Sequence, residues 1–359
     1  MAGLHFHPLR VARIVADTDE ACIVSIAVPD ELREAFAFQP GQYLTLRRHI
    51  DGQDLRRSYS ICASPDDGEL RVGVRKVPGG AFTGWLHDSL REGDFVDTMP
   101  PQGRFVVPIA NGGARHLLLV AGGSGITPMI AIARYVLAHE VATRITLVYA
   151  NRKSASTMFK EEIEDLKNRY LSRFSLFALF SREPVESPLN AGRLDQDKMA
   201  FLLRTVIDAH RIDQAFVCGP HGMNDAVQQA LLAAGLAAER IHIERFGVPP
   251  TEADVHLHDP RPGDAPQARI TIVRDGTTRE VDFVAGTPSL LDAAAQAGLD
   301  VPYSCKSGVC ATCRAKLVEG RVRMDRNFAL DAADLAAGFV LTCQAHPLTE
   351  RVTVSFDER

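Results

Sequence analysis

Residues 116–139 read HLLLVAGGSGITPMIAIARYVLAH. An apolar run ends in the turn Gly122-Gly123-Ser124-Gly125, and a stretch with helical periodicity follows. Pro128 sits near its start, where a missing N–H costs nothing. Strand, glycine turn and helix in immediate succession form the opening unit of a parallel α/β sheet. The stretches downstream repeat the alternation: ITLVYA, FKEEIEDLKNRY, FSLFALF, AFVCGP and NDAVQQALLAAG. Strands that alternate with helices predict a doubly wound parallel sheet. The turn departs from the G-x-G-x-x-G pattern by ending in Pro, so that string alone does not carry a dinucleotide reading.

Both flanks have a different texture. From residue 4 to about 108, short β-branched runs (CIVSIAV, YLTLR, LRVGVRKV) separated by Gly, Pro and Asp predict a small antiparallel barrel. After IHIERFG comes GVPPTEADVHLHDPRPGDAP, a Pro, Asp and Gly stretch without periodicity that reads as a linker. Beyond it, RITIVRDGTTREVDFV predicts a hairpin around an Asp-Gly turn, and SLLDAAAQAG a short helix. The expected division is a barrel over 1–110, the α/β domain over 111–247, a linker over 248–267 and an α+β domain over 268–359. A chain of 359 residues is long enough for three such domains. Its net charge of −5, with both signs interspersed, leaves no basic stripe for nucleic acid, and no stretch has the ~20 apolar residues of a membrane helix. The N-terminus shows no export signal, which points to the cytoplasm.

Cys305, Cys310 and Cys313 lie at C-x4-C-x2-C spacing and Cys343 follows after twenty-nine intervening residues. That is the ligand pattern of a plant-type [2Fe-2S] cluster, whose two irons need four thiolates. Gly308 and Ala311 supply small residues for a tight loop whose amides face sulfur. Structural zinc usually takes paired C-x2-C or His ligands, and only one C-x2-C is present here. Cys22, Cys62 and Cys218 stand apart as reduced thiols.

In the barrel region, Arg57-Ser58-Tyr59-Ser60 reads as part of a strand, and Gly79-Gly80-Ala81-Phe82-Thr83 leads into a helix. Together they suit a flavin dinucleotide. The Arg57 fork can grip a pyrophosphate, while Thr83 and the amides of a helix start act on the same charge. Strand alternation puts Tyr59 on the face of Arg57, against the isoalloxazine, with the Ser60 hydroxyl directed toward flavin N5. Alone, this string also fits an exposed Arg beside a half-buried Tyr.

A second strand end, Cys218-Gly219-Pro220 with Met223, joins Gly123, Gly125, Thr127 and Pro128 at the carboxyl edge of the α/β sheet, where ligands bind. Thr127 and Cys218 are expected to flank a nicotinamide ring. For Cys218 the commoner fate is a small core hydrophobe. Arg152 and Lys153 after one strand, with Ser181 and Arg182 after the next, favour a 2′-phosphate and hence NADPH over NADH. They also fit ordinary loop charges, and an inward Glu183 would weaken the argument.

The three motif sets in this order resemble the ferredoxin-NADP reductase superfamily fused to a C-terminal plant-type ferredoxin. The strings DLRRSYSIC, GGSGITPM, YANRKSASTMF, IHIERF, CKSGVCATC and DLAAGFVLTCQAHPL resemble, within it, the branch of phenylacetyl-CoA epoxidase reductases. The resemblance spans nearly the whole chain. It implies FAD held by Arg57, Ser58, Tyr59, Ser60, Gly80, Phe82 and Thr83, with Phe246 over the flavin face opposite Tyr59. It implies a nicotinamide nucleotide at Gly123, Gly125, Thr127, Pro128, Arg152, Ser181, Arg182, Cys218, Gly219, Pro220 and Met223, with the four cysteines on the cluster. Ser60, Thr127 and Cys218 are the expected catalytic residues. Hydride passes from NAD(P)H to flavin and electrons leave singly through the cluster. The implied partner is the oxygenase component of a multicomponent monooxygenase, with no nucleic acid and no membrane. Alternatives are a ring-hydroxylating or 3-ketosteroid oxygenase as acceptor, or a non-enzymatic redox sensor.

Overall fold

A computed structural model describes residues 4–108, 113–248 and 256–358, and the chain divides into two compact units, Phe6–Phe246 and Gly247–Arg359 with Met1–His5. In the larger unit, β1 (His7–Thr18), β2 (Ala21–Ala27), β3 (Tyr43–Ile50), β4 (Gln53–Ser60), β5 (Leu70–Arg75) and β6 (Phe95–Gln102) form an antiparallel sheet ordered β4-β3-β6-β1-β2-β5, with α1 (Ala81–Asp88) between β5 and β6. The chain leaving β4 folds onto β5. Ile61 bridges Val72, and the Cys62 amide donates to the Arg71 carbonyl at 3.0 Å. The two edge strands are thereby joined, which leaves few unpaired backbone groups exposed.

The second sheet of this unit is all parallel. It comprises β7 (His116–Gly122), β8 (Arg144–Asn151), β9 (Phe174–Phe180), β10 (Gln214–Cys218) and β11 (Ile241–Glu244) in the order β11-β10-β7-β8-β9. The helices α2 (Ile126–His139), α3 (Lys160–Arg169), α4 (Gln196–Thr205) and α5 (His221–Ala233) lie between them in sequence. Because the chain starts in the middle of the sheet and winds both ways, β7 and β10 form its switch point, the crevice where such sheets take ligands. The β7 core residues Leu117 to Ala121 are fully buried, as helices on both faces require.

The barrel and the parallel sheet share one core, in which Ala21, Ile23, Cys62 and Phe105 join Ile126, Met129, Tyr149 and Phe159. Phe159, at φ +56, has its amide held by the Asp17 carboxylate at 3.0 Å, and Arg71 and Arg134 both pair with Glu162 at 2.8 Å. A buried aromatic in the left-handed region is strained, and here the barrel strand supplies the restraint that holds it there.

The smaller unit has an α+β arrangement. The strands β12 (Gln267–Arg274), β13 (Thr277–Val284), β14 (Arg314–Glu319), β16 (Phe339–Leu341) and β18 (Arg351–Ser355) run in the order β13-β12-β18-β14-β16. A separate pair joins β15 (Val322–Met324) to β17 (Ala345–Pro347), and the helices are α6 (Leu290–Gln296) and α7 (Ala332–Ala336). The β12–β13 turn has Asp275 at φ +52 and Gly276 at φ +69, the left-handed pair that a two-residue hairpin favours. The buried Asp325 accepts from His258 Nδ1 at 2.8 Å and His346 Nε2 at 2.7 Å and pairs with Arg323. With a guanidinium already on this carboxylate, the cluster reads as an ion-paired clamp that ties residue 258 to β15 and β17.

Candidate functional site

The glycine turn is shaped by what it touches. A side-chain Cβ at Gly125 would lie 2.0 Å from the Cys218 carbonyl oxygen, one at Gly122 would lie 2.7 Å from Met223 Sδ, and one at Gly219 would lie 2.5 Å from Met223 Cε. The loops after β7 and β10 therefore interlock through glycines, with Pro220 leading into α5. Thr127 is buried, and its hydroxyl donates to the Ser124 carbonyl at 3.0 Å. Pro128 is buried in the first turn of α2, and Cys218 is wholly buried, its thiol pushed up by burial.

Cys218 pairs in register with Glu244, the last residue of β11. Glu244 is half-buried, and burial pushes its carboxyl up to about 8. It accepts from the Ser60 hydroxyl at 3.1 Å, so Ser60 meets this acid at the boundary between barrel and parallel sheet. Ser60, Cys218 and Glu244 thus converge although they come from three distant segments. Perturbed acids in such a crevice are candidates for proton handling. Sequence reasoning passed over Glu244; the signal was an acid closing the short strand IHIE at the same sheet edge as Cys218.

On β4, Arg57 is exposed and Tyr59 half-buried, while Arg56 and Ser60 are buried, the alternation of a strand with one solvated face. Tyr59 packs on Phe82 with ring centroids 6.0 Å apart. Ser58 lies 3.4 Å from the Thr45 hydroxyl across the β3–β4 pair. The Thr83 hydroxyl accepts from the Val77 amide at 3.1 Å and donates to the Gly80 carbonyl at 3.3 Å. It therefore closes the Gly79-Gly80 loop, and the first-turn amides of α1 are what the site offers an anion there. Phe246, just past β11, is 45% exposed.

The edges of β8 and β9 continue together past their ends. The Arg182 amide donates to the Arg152 carbonyl at 2.9 Å, and the Ser181 hydroxyl to the Asn151 carbonyl at 3.3 Å. Arg152 and Arg182 are both exposed. Glu183 accepts from the Ser154 amide at 2.9 Å, which occupies it in the loop after β8.

In the smaller unit the four thiols come together as two pairs, Cys305 with Cys310 and Cys313 with Cys343. The loop is cradled by left-handed residues at Lys306 (φ +53), Gly308 (φ +78) and Ala311 (φ +57). The Ser307 amide donates to Cys305 Sγ at 3.4 Å, and Gln344 Nε2 reaches Cys343 Sγ at 3.7 Å. The Cys310 thiol and the amides of Ser307 and Val309 hold the Cys305 thiol below the usual thiol range. Two sulfur pairs with amides aimed at them, in a loop held against backbone preference, fit two bridged irons.

Three family models match the chain: an oxidoreductase FAD-binding domain over residues 11–107, an oxidoreductase NAD-binding domain over 119–229 and a 2Fe-2S iron-sulfur cluster binding domain over 272–348. A 1,2-phenylacetyl-CoA epoxidase subunit from Escherichia coli (strain K12) is 42% identical over 355 residues, which cover 99% of this chain and 98% of that relative. This chain belongs to the oxygenase reductases built from FAD, NAD and [2Fe-2S] domains. The ferredoxin reductase component of 3-ketosteroid-9-alpha-monooxygenase from Rhodococcus rhodochrous is 34% identical, with 97% and 96% covered. Phthalate dioxygenase reductase shares the three-domain fold, with a TM-score of 0.59 over 98% of both chains at 22% identity. As an oxygenase reductase the chain is an oxidoreductase rather than a non-enzymatic sensor, and its family partners are oxygenase components. Among the described residues no helix is long and apolar enough to cross a membrane.

Proposed function

We propose that this oxygenase reductase is a cytoplasmic NADPH-dependent enzyme that supplies electrons to the oxygenase component of a phenylacetyl-CoA epoxidase. Its domains would divide as 1–110, 111–247, 248–267 and 268–359. The full-length 42% identity to an epoxidase subunit carries the choice of acceptor. Bound FAD would supply the conversion between a two-electron hydride donor and a one-electron acceptor, and a [2Fe-2S] cluster on Cys305, Cys310, Cys313 and Cys343 would supply that acceptor. This chain's residues position and tune. Arg57 and the first turn of α1, with Gly80, Phe82 and Ser58 around them, hold the flavin pyrophosphate, and Tyr59 and Phe246 take the two faces of the ring. Ser60 and Glu244 form a polar pair beside it, and Glu244, with its raised value, carries a proton at neutral pH. Thr127 and Cys218 flank the nicotinamide, with Gly123, Gly125, Pro128, Gly219, Pro220 and Met223 shaping its crevice. Arg152, Ser181 and Arg182 receive the 2′-phosphate. The backbone link between Arg152 and Arg182, with Glu183 engaged elsewhere, supports that assignment.

The test is reconstitution with the oxygenase component of a phenylacetyl-CoA epoxidase. Turnover of phenylacetyl-CoA is expected, and the Arg152→Ala/Arg182→Ala double variant should lower kcat/KM for NADPH about 100-fold while NADH changes less than about threefold. Equal effects on the two nucleotides would sink the 2′-phosphate assignment. A second reading, service to a steroid-hydroxylating oxygenase, has the 34% relative in its favour, and steroid-dependent turnover in a parallel arm would establish it.

A further inference from the structure

The glycine turn is held from beneath by hydroxyls. Tyr149 lies on β8 in register with Ala121 of β7, wholly buried, and its hydroxyl donates to the Gly123 carbonyl at 3.0 Å, with the Met158 carbonyl farther off at 3.4 Å. One residue on, the Thr127 hydroxyl donates to the Ser124 carbonyl at 3.0 Å. The Ile126 amide reaches both carbonyls as well. Two successive carbonyls of the turn are thus fixed by donors from the protein.

A trans peptide is planar, and its C=O and N–H point in opposite directions. Anchoring the Gly123 carbonyl on Tyr149 therefore sends the Ser124 N–H away from that hydroxyl. Anchoring the Ser124 carbonyl on Thr127 does the same for the Gly125 N–H. Gly123 is left-handed at φ +54 and the next residue is in a 3-10 turn, a combination that sets successive N–H groups into an anion-binding concavity. The concavity opens at the start of α2, where the helix dipole also favours negative charge.

We propose that Tyr149 and Thr127 are positioning residues whose hydroxyls preset the Ser124 and Gly125 amides to receive the pyrophosphate of the nicotinamide dinucleotide. The proposal rests on the reading that this turn takes the nucleotide, and it adds Tyr149, which never touches that ligand. The hydroxyls act before binding: they hold the turn in its receptive form, so the ligand need not order it.

Tyr149→Phe keeps the ring in the core and removes one hydroxyl. In the holoprotein, KM for NADPH and for NADH should rise about tenfold with kcat nearly unchanged, since one hydrogen bond that orients a binding group is lost. Reduced nicotinamide mononucleotide lacks the pyrophosphate bridge, and its kcat/KM should stay within about twofold. Inhibition by inorganic pyrophosphate should weaken in step with the dinucleotides. Thr127→Val should weaken pyrophosphate inhibition of the holoprotein by the same factor, and that inhibition carries the comparison if Tyr149→Phe loses its cofactors. An equal loss with mononucleotide and dinucleotide in Tyr149→Phe would reduce its hydroxyl to packing, and an unchanged KM there or undiminished pyrophosphate inhibition in Thr127→Val would overturn the proposal outright. Failure of the unaltered chain to oxidise either dinucleotide is a separate result, which removes the nucleotide reading and this proposal with it.

Discussion

Replacing Cys310 with Ser abolishes electron delivery to the oxygenase and leaves reduction of the bound flavin by NADPH intact. Cys310 pairs with Cys305 within the loop, and a serine hydroxyl stays protonated where a thiolate is required, so one iron loses a ligand. Transfer to acceptors that draw on the cluster should fall at least about 100-fold, while flavin bleaching changes less than about twofold. The division follows from the architecture. All four cysteines lie in the smaller unit, and the FAD-binding and NAD-binding domains both lie in the larger one. Stopped-flow absorbance of the loaded variant checks it, and loss of flavin reduction as well would contradict the separation of roles.

Gly125→Ala has the second large effect. The added methyl would meet the Cys218 carbonyl oxygen at 2.0 Å and its carbon at 2.5 Å, and both are backbone atoms that cannot swing aside. The interlocked loops at the switch point must part, and with them the surface that meets the nucleotide. Nucleotide-driven flavin reduction should drop about 100-fold or more, with FAD still bound and still reducible by dithionite. Gly222→Ala is the matched control. No atom outside its own helix backbone and chain neighbours lies within 4 Å of the added methyl, so its rate should match that of the unaltered chain. Normal nucleotide kinetics in Gly125→Ala would mean that the loops are not locked as described.

Local chemistry made much of this legible in the sequence. The run HLLLVAG became β7, Asp-Gly turned the β12–β13 hairpin, and the cysteine spacing marked the loop in which Lys306 and Ala311 take left-handed conformations. The pieces that sequence reasoning missed depend on contacts between distant segments. Helix α4 was overlooked because ten residues of mixed pattern are a weak periodic signal; its start is marked by Asp195, whose side chain accepts from the Lys198 amide. Gly125 and Gly219 read as the lining of a ligand site, yet they and Gly122 are needed equally for one loop to lie against another. Thr83 stands at a helix start as expected, but spacing cannot tell a hydroxyl aimed at a ligand from one that closes its own loop on Val77 and Gly80. The Ser60–Glu244 bond joins residues 184 positions apart, and no local pattern announces it.

At the heart of the mechanism, one chain carries electrons from a nicotinamide nucleotide through flavin to a [2Fe-2S] centre. Anaerobic mixing of the loaded protein with NADPH, followed by its visible spectrum, is the decisive measurement. Flavin should bleach first and the cluster after it, both faster with NADPH than with NADH. Flavin that bleaches while the cluster stays oxidised, or a flavin that neither nucleotide reduces, would overturn this electron path.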